Sequence, residues 1–219
     1  MSKFRIVLDT ADVSQIKDAV TTGLVDAVAT NPEKVAQSGK SYRQVVEQIR
    51  RFFEGPVMLQ AVGETAEEIC DSARKLNRID PSLIIKIATN KAGLTAVKIL
   101  VAEGVTTNAT LVFNPAQALM AALLQSASVS VFVGRARMCG YDGIETVRKV
   151  RQLFDAFECK NTAIAACSIK DVQQVIDSII AGAHTVAVPF NVFEAMCEHP
   201  LTAGGLAAFM DYHKNITQS

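Results

Sequence analysis

The sequence predicts an α/β fold, a single (β/α)8 barrel over residues 1–219 with an additional C-terminal helix at about 204–216. Three observations carry that expectation. Eight short apolar runs alternate with helix-like segments along the chain, and repeated strand–helix units build a parallel sheet. Nothing interrupts the alternation: there is no linker, low-complexity tract or block of like charge. No Gly-x-Gly-x-x-Gly follows the first strand, and no Walker-type lysine motif occurs. Both absences count against an open, doubly wound nucleotide-binding sheet, which is the alternative arrangement of eight such units.

Composition narrows the function classes. Acidic and basic residues balance at 22 each, so no charge excess marks a nucleic-acid binder. No uninterrupted apolar run approaches membrane-spanning length, so the positive mean hydropathy reflects core and not membrane. Met1-Ser2-Lys3-Phe4 reaches a polar residue too soon for a signal peptide. The cysteines, Cys70, Cys139, Cys159, Cys167 and Cys197, are odd in number and form no Cys-x-x-Cys pair. That pattern predicts reduced thiols and a cytoplasmic location.

Each element has a local reason. The first strand is expected at 4–8, ending in Asp9-Thr10; Asp12 caps a helix to about 22, which Gly23 stops. A strand at 25–29 leads to Thr30-Asn31-Pro32, and Val45, Val46, Ile49 and Phe53 set helical spacing over 41–53. The third strand, 57–62, contains Gln60, and Thr65 with Glu68 has capping-box spacing at the head of a helix over 65–76. The fourth strand is Leu83-Ile84-Ile85-Lys86-Ile87-Ala88, followed by a helix over 90–103. Then come a strand at 107–112 and a helix that Pro115 opens and that runs to about 125. The sixth strand is expected at 129–133, and the loop Gly140-Tyr141-Asp142-Gly143 leads into a helix over 144–157. The seventh strand, 162–166, ends in Cys167-Ser168-Ile169-Lys170 before a helix over 171–181. The eighth, 185–188, meets Pro189 and a helix over 190–198.

Chemistry in such barrels sits at the C-terminal ends of the strands. There the chain places Asp9, Asn31, Gln60, Lys86, Asn108 with Thr110, Ser130 and Ser168, so seven strands in turn carry a polar residue in or just after an apolar run. Singly, each reads as a cap or turn residue. Lys86 alone also reads as an edge-strand lysine whose head snorkels to water. Desolvation, however, favours the neutral amine, which is nucleophilic toward carbonyls. A lysine, a carboxylate and several amides and hydroxyls at one barrel mouth are the parts of a Schiff-base aldolase.

At these residues the chain resembles the short transaldolases and fructose-6-phosphate aldolases over nearly its whole length. The matching stretches are Leu8-Asp9-Thr10, Ala29-Thr30-Asn31-Pro32, Ile85-Lys86-Ile87 and Thr107-Asn108-Ala109-Thr110-Leu111-Val112-Phe113. Phe132-Val133-Gly134-Arg135, Ala166-Cys167-Ser168-Ile169-Lys170 and His199-Pro200-Leu201-Thr202 also match, in the same order and spacing. The resemblance implies that Lys86 forms an imine with the ketose C2 and that Asp9 takes the C4 hydroxyl proton. It implies that Asn31, Asn108 and Ser130 hold hydroxyls of the three-carbon unit, and that Gln60 and Thr110 hold a water that relays protons. Arg135, Ser168 and Lys170 are implied to bind the substrate phosphate. Arginine and lysine suit phosphate oxygens, and Ser168 is expected at the start of a helix, where backbone N–H groups attract anions. Also implied are sugar-phosphate substrates, a pentameric or decameric homo-oligomer, no cofactor, and neither nucleic acid nor membrane as partner.

Three positions depart from the family pattern: Ala29, Ala88 and Val131 stand where threonine, proline and proline are common. Two others pull in opposite directions. Phe132 is the transaldolase choice and Gln60 the fructose-6-phosphate aldolase choice, and phenylalanine lacks the hydroxyl that would help a water release free dihydroxyacetone. Transaldolase is therefore the favoured reading, with the aldolase, or a non-catalytic sugar-phosphate-binding barrel, as alternatives. His184, His199 and His213 have no metal-ligand spacing, so no metal is expected, and the histidines are expected as surface or packing residues.

Overall fold

The computed structural model describes residues 4–216. Among them, parallel strands close into a barrel in chain order: β1 (Arg5–Asp9), β2 (Val25–Ala29), β3 (Val57–Gln60), β4 (Ile84–Ala88), β5 (Thr107–Val112), β6 (Ser128–Phe132), β7 (Ala163–Cys167) and β8 (Thr185–Val188). β8 pairs back onto β1, which rules out the open sheet. The helices are α1 (Val13–Thr21), α2 (Pro32–Gln37), α3 (Tyr42–Arg50), α4 (Ala66–Asn77), α5 (Lys91–Ala102), α6 (Pro115–Leu123), α7 (Val133–Met138), α8 (Gly143–Ala156), α9 (Val172–Ile180), α10 (Phe190–Cys197) and α11 (Pro200–Ile216).

Caps set most of the helix starts. Asp12, Asn90, Asp142 and Asp171 each accept a first-turn backbone N–H, and Thr65 with Glu68 forms the full capping box. Three features differ from the sequence expectation. The short helices α2 and α7 fall where a loop and the end of a strand are expected. α2 is a six-residue turn capped by Asn31 and opened by Pro32, too short to show an apolar period. α7 starts directly at the end of β6, so Val133 belongs to a helix and not to the strand. α11 begins at Pro200 and runs through Gly204 and Gly205, which lowered its apparent propensity at the start.

The two faces of the barrel wall pack differently. Outward residues such as Leu8, Val28, Leu59, Ile85, Ile87 and Ile164 are fully buried in a large apolar layer beneath the helices. Truncating one of them, for example Ile85→Ala, is expected to cost about 2–5 kcal/mol. The inward apolar cluster is small and built of short side chains, Val7, Ala27, Ala29 and Ala187, with Met58 and Cys167 against it. Barrels usually fill this space with bulky layers. Here the short side chains leave an open interior, which becomes the site. His184 sits in the wall: its Nδ1 accepts the Ile164 N–H at 2.9 Å, tying β8 to β7, and burial holds its pKa below the ordinary value. No described helix is long and apolar enough to cross a membrane.

Candidate active site

Register brings the polar residues together. β3, β4 and β5 align Gln60 with Lys86 and Lys86 with Asn108, and all three line the barrel interior in one row. A cavity of about 830 Å³ opens there, running from the basal residues Arg5, Ser128 and Thr185 to the mouth. Asp9, Asn31, Gln60, Lys86, Asn108, Ser130, Phe132, Arg135, Ser168 and Lys170 line it. Among the described residues Lys86 is the one charged side chain that is buried, at 8% exposure, and its Nζ donates to the Thr30 carbonyl at 3.1 Å. The snorkelling edge-strand lysine is thereby excluded, because β4 lies inside a closed sheet.

The neutral groups are held by one another. Ser130 Oγ donates to Asn108 Oδ1 at 3.0 Å, and Asn108 Nδ2 donates to Ser128 Oγ at 2.7 Å, so the amide is fixed from both sides. Asn31 Oδ1 accepts the Lys34 N–H, which leaves its amide nitrogen free to donate. Cys167 lies beside Ser130 and Lys86; burial pushes its thiol up to about 11, so near neutral pH it is protonated and no rival nucleophile to Lys86.

Thr110 does not line the cavity. It is fully buried next to the row, and its hydroxyl has no hydrogen-bond partner. The following residue, Leu111, has φ +57°, where the β5–β6 register shifts. A bulge beside a site re-aims the residues around it, at a local strain cost of about 1–2 kcal/mol.

The cations lie just beyond the strands. Arg135 comes from α7, while Ser168 and Lys170 come from the loop after β7. Ser168 does not stand at a helix N-terminus: α9 starts at Val172, and its N-cap is Asp171. Ser168 instead has a left-handed backbone, φ +59°. What gathers the three residues is Gly134, where an added Cβ would come within 2.0 Å of the Ser168 carbonyl oxygen, so α7 can pack flush against that loop only as glycine. Arg135 also lies over the Phe132 ring, 5.2 Å from its centroid, and Phe113 packs tilted against the same ring at 5.6 Å.

Sequence reading missed the charged lining residues Arg5, Asp26, Glu33 and Lys34, of which Lys34 reaches Asp9. Lys34 of α2 lies 2.9 Å from Asp9 Oδ2. Ser128 and Leu111 also line the cavity unannounced. A lysine four residues after the Ala29-Thr30 strand end gives no signal unless α2 is known to be helical. Among the described residues no group of three His, Cys, Asp or Glu side chains is placed to hold a metal ion.

A family model described as Transaldolase/Fructose-6-phosphate aldolase matches residues 6–218. A protein of Desulforudis audaxviator named "Probable transaldolase" is 41% identical over 94% of this chain and 95% of its own length. Another of that name, from Thermoplasma acidophilum, is 38% identical over 97% and 96%. Among solved structures, thiamine phosphate pyrophosphorylase of Pyrococcus furiosus superposes with a TM-score of 0.61 over 88% of each chain at 14% identity, a likeness of fold alone.

Proposed function

The chain belongs to the Transaldolase/Fructose-6-phosphate aldolase family, and on that premise we propose that it is a Schiff-base transaldolase. It moves a dihydroxyacetone unit from a ketose phosphate such as fructose 6-phosphate to an aldose phosphate such as erythrose 4-phosphate. The observation that carries this reading is Lys86, buried in a closed barrel among polar groups and opening on the same cavity as Asp9.

The Lys86 nitrogen adds to the ketose C2 carbonyl, and loss of water leaves an iminium. Asp9 takes the C4 hydroxyl proton. The C3–C4 electrons move into the iminium, giving an enamine on Lys86 and a free aldose phosphate. An incoming aldehyde then reverses the sequence. Asn31, Asn108 and Ser130 hold the three-carbon hydroxyls, and the Asn108–Ser130 hydrogen bond supports their fixed orientation. Gln60 and Thr110, on the two strands flanking β4, hold the relay water. The unpartnered Thr110 hydroxyl supports that role, since buried hydroxyls almost always find a partner. Arg135, Ser168 and Lys170 take the phosphate, with Gly134 holding them together.

Fructose-6-phosphate aldolase activity is the second reading, favoured by Gln60. Against it, Phe132 offers no hydroxyl to a water, and the curated relatives are named for transaldolase. A coupled assay decides: glyceraldehyde 3-phosphate should form from fructose 6-phosphate only when erythrose 4-phosphate is present. Acceptor-independent release at the same rate would make the protein an aldolase. The chain also assembles as a homo-oligomer. Leu201, Leu206, Phe209, Met210 and Ile216 of α11 are all more than half exposed, which supports burial against another copy. Equilibrium sedimentation should give a multiple of the 23.5 kDa protomer. The five free cysteines support a reducing, cytoplasmic location.

A further inference from the structure

α2 delivers a second lysine to the β1 side of the cavity. Lys34 Nζ lies 2.9 Å from Asp9 Oδ2 and also donates to the Asp9 backbone carbonyl, so it grips both the carboxylate and the strand end that carries it. The pair is mostly withdrawn from water, with side-chain exposures of 25% and 21%. The other carboxylate oxygen, Asp9 Oδ1, is buried and without a hydrogen-bond partner. A bare buried carboxylate oxygen is uncommon because desolvation penalises it, and where it persists it calls for a role. A proton acceptor uses that arrangement: one oxygen anchored, the other with its lone pairs unpaired.

Lys34 is itself set in place by the site. Asn31 Oδ1 accepts its backbone N–H at 3.0 Å, and Pro32 opens the helix that follows. The turn that presents Asn31 to the cavity therefore also presents Lys34 to Asp9.

We propose that Lys34 is a positioning residue for carbon–carbon bond cleavage: it anchors Asp9 Oδ2 so that Oδ1 meets the C4 hydroxyl. The proposal rests on Lys86 as the amine and Asp9 as the base. In the step, Oδ1 receives the C4 hydroxyl proton, the C4–O bond becomes a carbonyl, and the C3–C4 pair passes into the iminium. Lys34 gains and loses no proton; its ammonium stops the carboxylate from turning and balances its charge.

Two measurements on the full chain test this in Lys34→Met and Lys34→Arg. One is borohydride trapping of dihydroxyacetone, which needs the amine but not the C4 proton transfer. The other is steady-state cleavage of fructose 6-phosphate with acceptor present. Lys34→Met should trap to the wild-type extent while kcat falls about 10²-fold, the effect of a misplaced catalytic group. KM should hold within about twofold, and Lys34→Arg should recover about tenfold of the lost kcat. Equal losses of trapping and cleavage, together with a lower Tm, would make Lys34 a structural tie and overturn the proposal. So would a raised KM with kcat intact, which marks a substrate contact, or no change in either measurement. Failure of the wild-type protein to trap dihydroxyacetone would sink the Schiff-base reading itself, and this proposal with it.

Discussion

The two halves of the barrel mouth differ in where their functional groups are rooted. On the β1–β4 side, Asp9, Gln60 and Lys86 project from the strands themselves, and the charged pair Asp9–Lys34 stands there. On the β5–β7 side the strands carry neutral Asn108 and Ser130, while the cations Arg135 and Lys170 come from a short helix and a loop beyond the sheet. The groups to which we assign proton and bond exchange are fixed by hydrogen-bonded register. Those to which we assign anion recognition are held by looser devices, a glycine contact and a ring stack. Removing Asp9 or Lys86 should therefore lower kcat, and removing Arg135 or Lys170 should raise KM.

The largest test of that division is Lys86→Met, close in volume and without an amine. Activity should fall roughly 10⁴–10⁶-fold, as when a covalent catalyst is deleted, with the melting curve little changed. Retained turnover would move the chemistry elsewhere. Asp9→Asn comes next. It keeps the shape, removes the base and leaves Lys34 without its counter-ion; kcat should drop about 10²–10⁴-fold while dihydroxyacetone still traps on Lys86. A loss of trapping in step with turnover would place Asp9 in imine formation instead.

Across the mouth, Arg135→Ala should raise KM for fructose 6-phosphate roughly 10- to 100-fold and leave an unphosphorylated ketose nearly untouched. Equal losses on both substrates would blur the two halves. Phe132→Tyr probes their boundary. A hydroxyl near the relay water should increase acceptor-independent cleavage, by less than about 10²-fold because a water is already held. A lower Tm with no new activity would make Phe132 core packing alone. The smallest effect is expected from Thr110→Val. Losing a ligand of the relay water should slow turnover with Tm little changed; a rise of about 2–4 °C in Tm would instead mark the hydroxyl as unpartnered. Unchanged turnover would remove Thr110 from the relay.

The strand-borne half was the more legible in the sequence. Lys86 stood out because an ammonium inside an aliphatic run conflicts with burial, and a closed barrel turns that conflict into a site. Asp9 and Gln60 follow from strand ends alone, whereas Asn108 is the second residue of β5 and joins the row through register. The loop-borne half was legible in residue type but not in cause. Ser168 reads as a helix start, yet its place comes from a left-handed turn and from Gly134, two features that depend on tertiary approach. Lys34 was invisible because α2 is too short to show a period. Thr110 reads from the sequence as a cavity residue, yet its hydroxyl is buried beside the cavity, next to the left-handed Leu111. The inward alanines read as ordinary strand residues, and only barrel closure shows that their small size hollows the interior.

The presence of three lysines on one cavity, Lys34, Lys86 and Lys170, makes the most direct test a matter of address. Incubate the protein with fructose 6-phosphate, reduce with borohydride, digest, and map the three-carbon adduct by peptide mass spectrometry. The Schiff-base reading predicts a single substrate-dependent adduct on Lys86, the buried lysine whose Nζ donates to the Thr30 carbonyl. An adduct on Lys34 or Lys170 in its place, or none at full turnover, would contradict it.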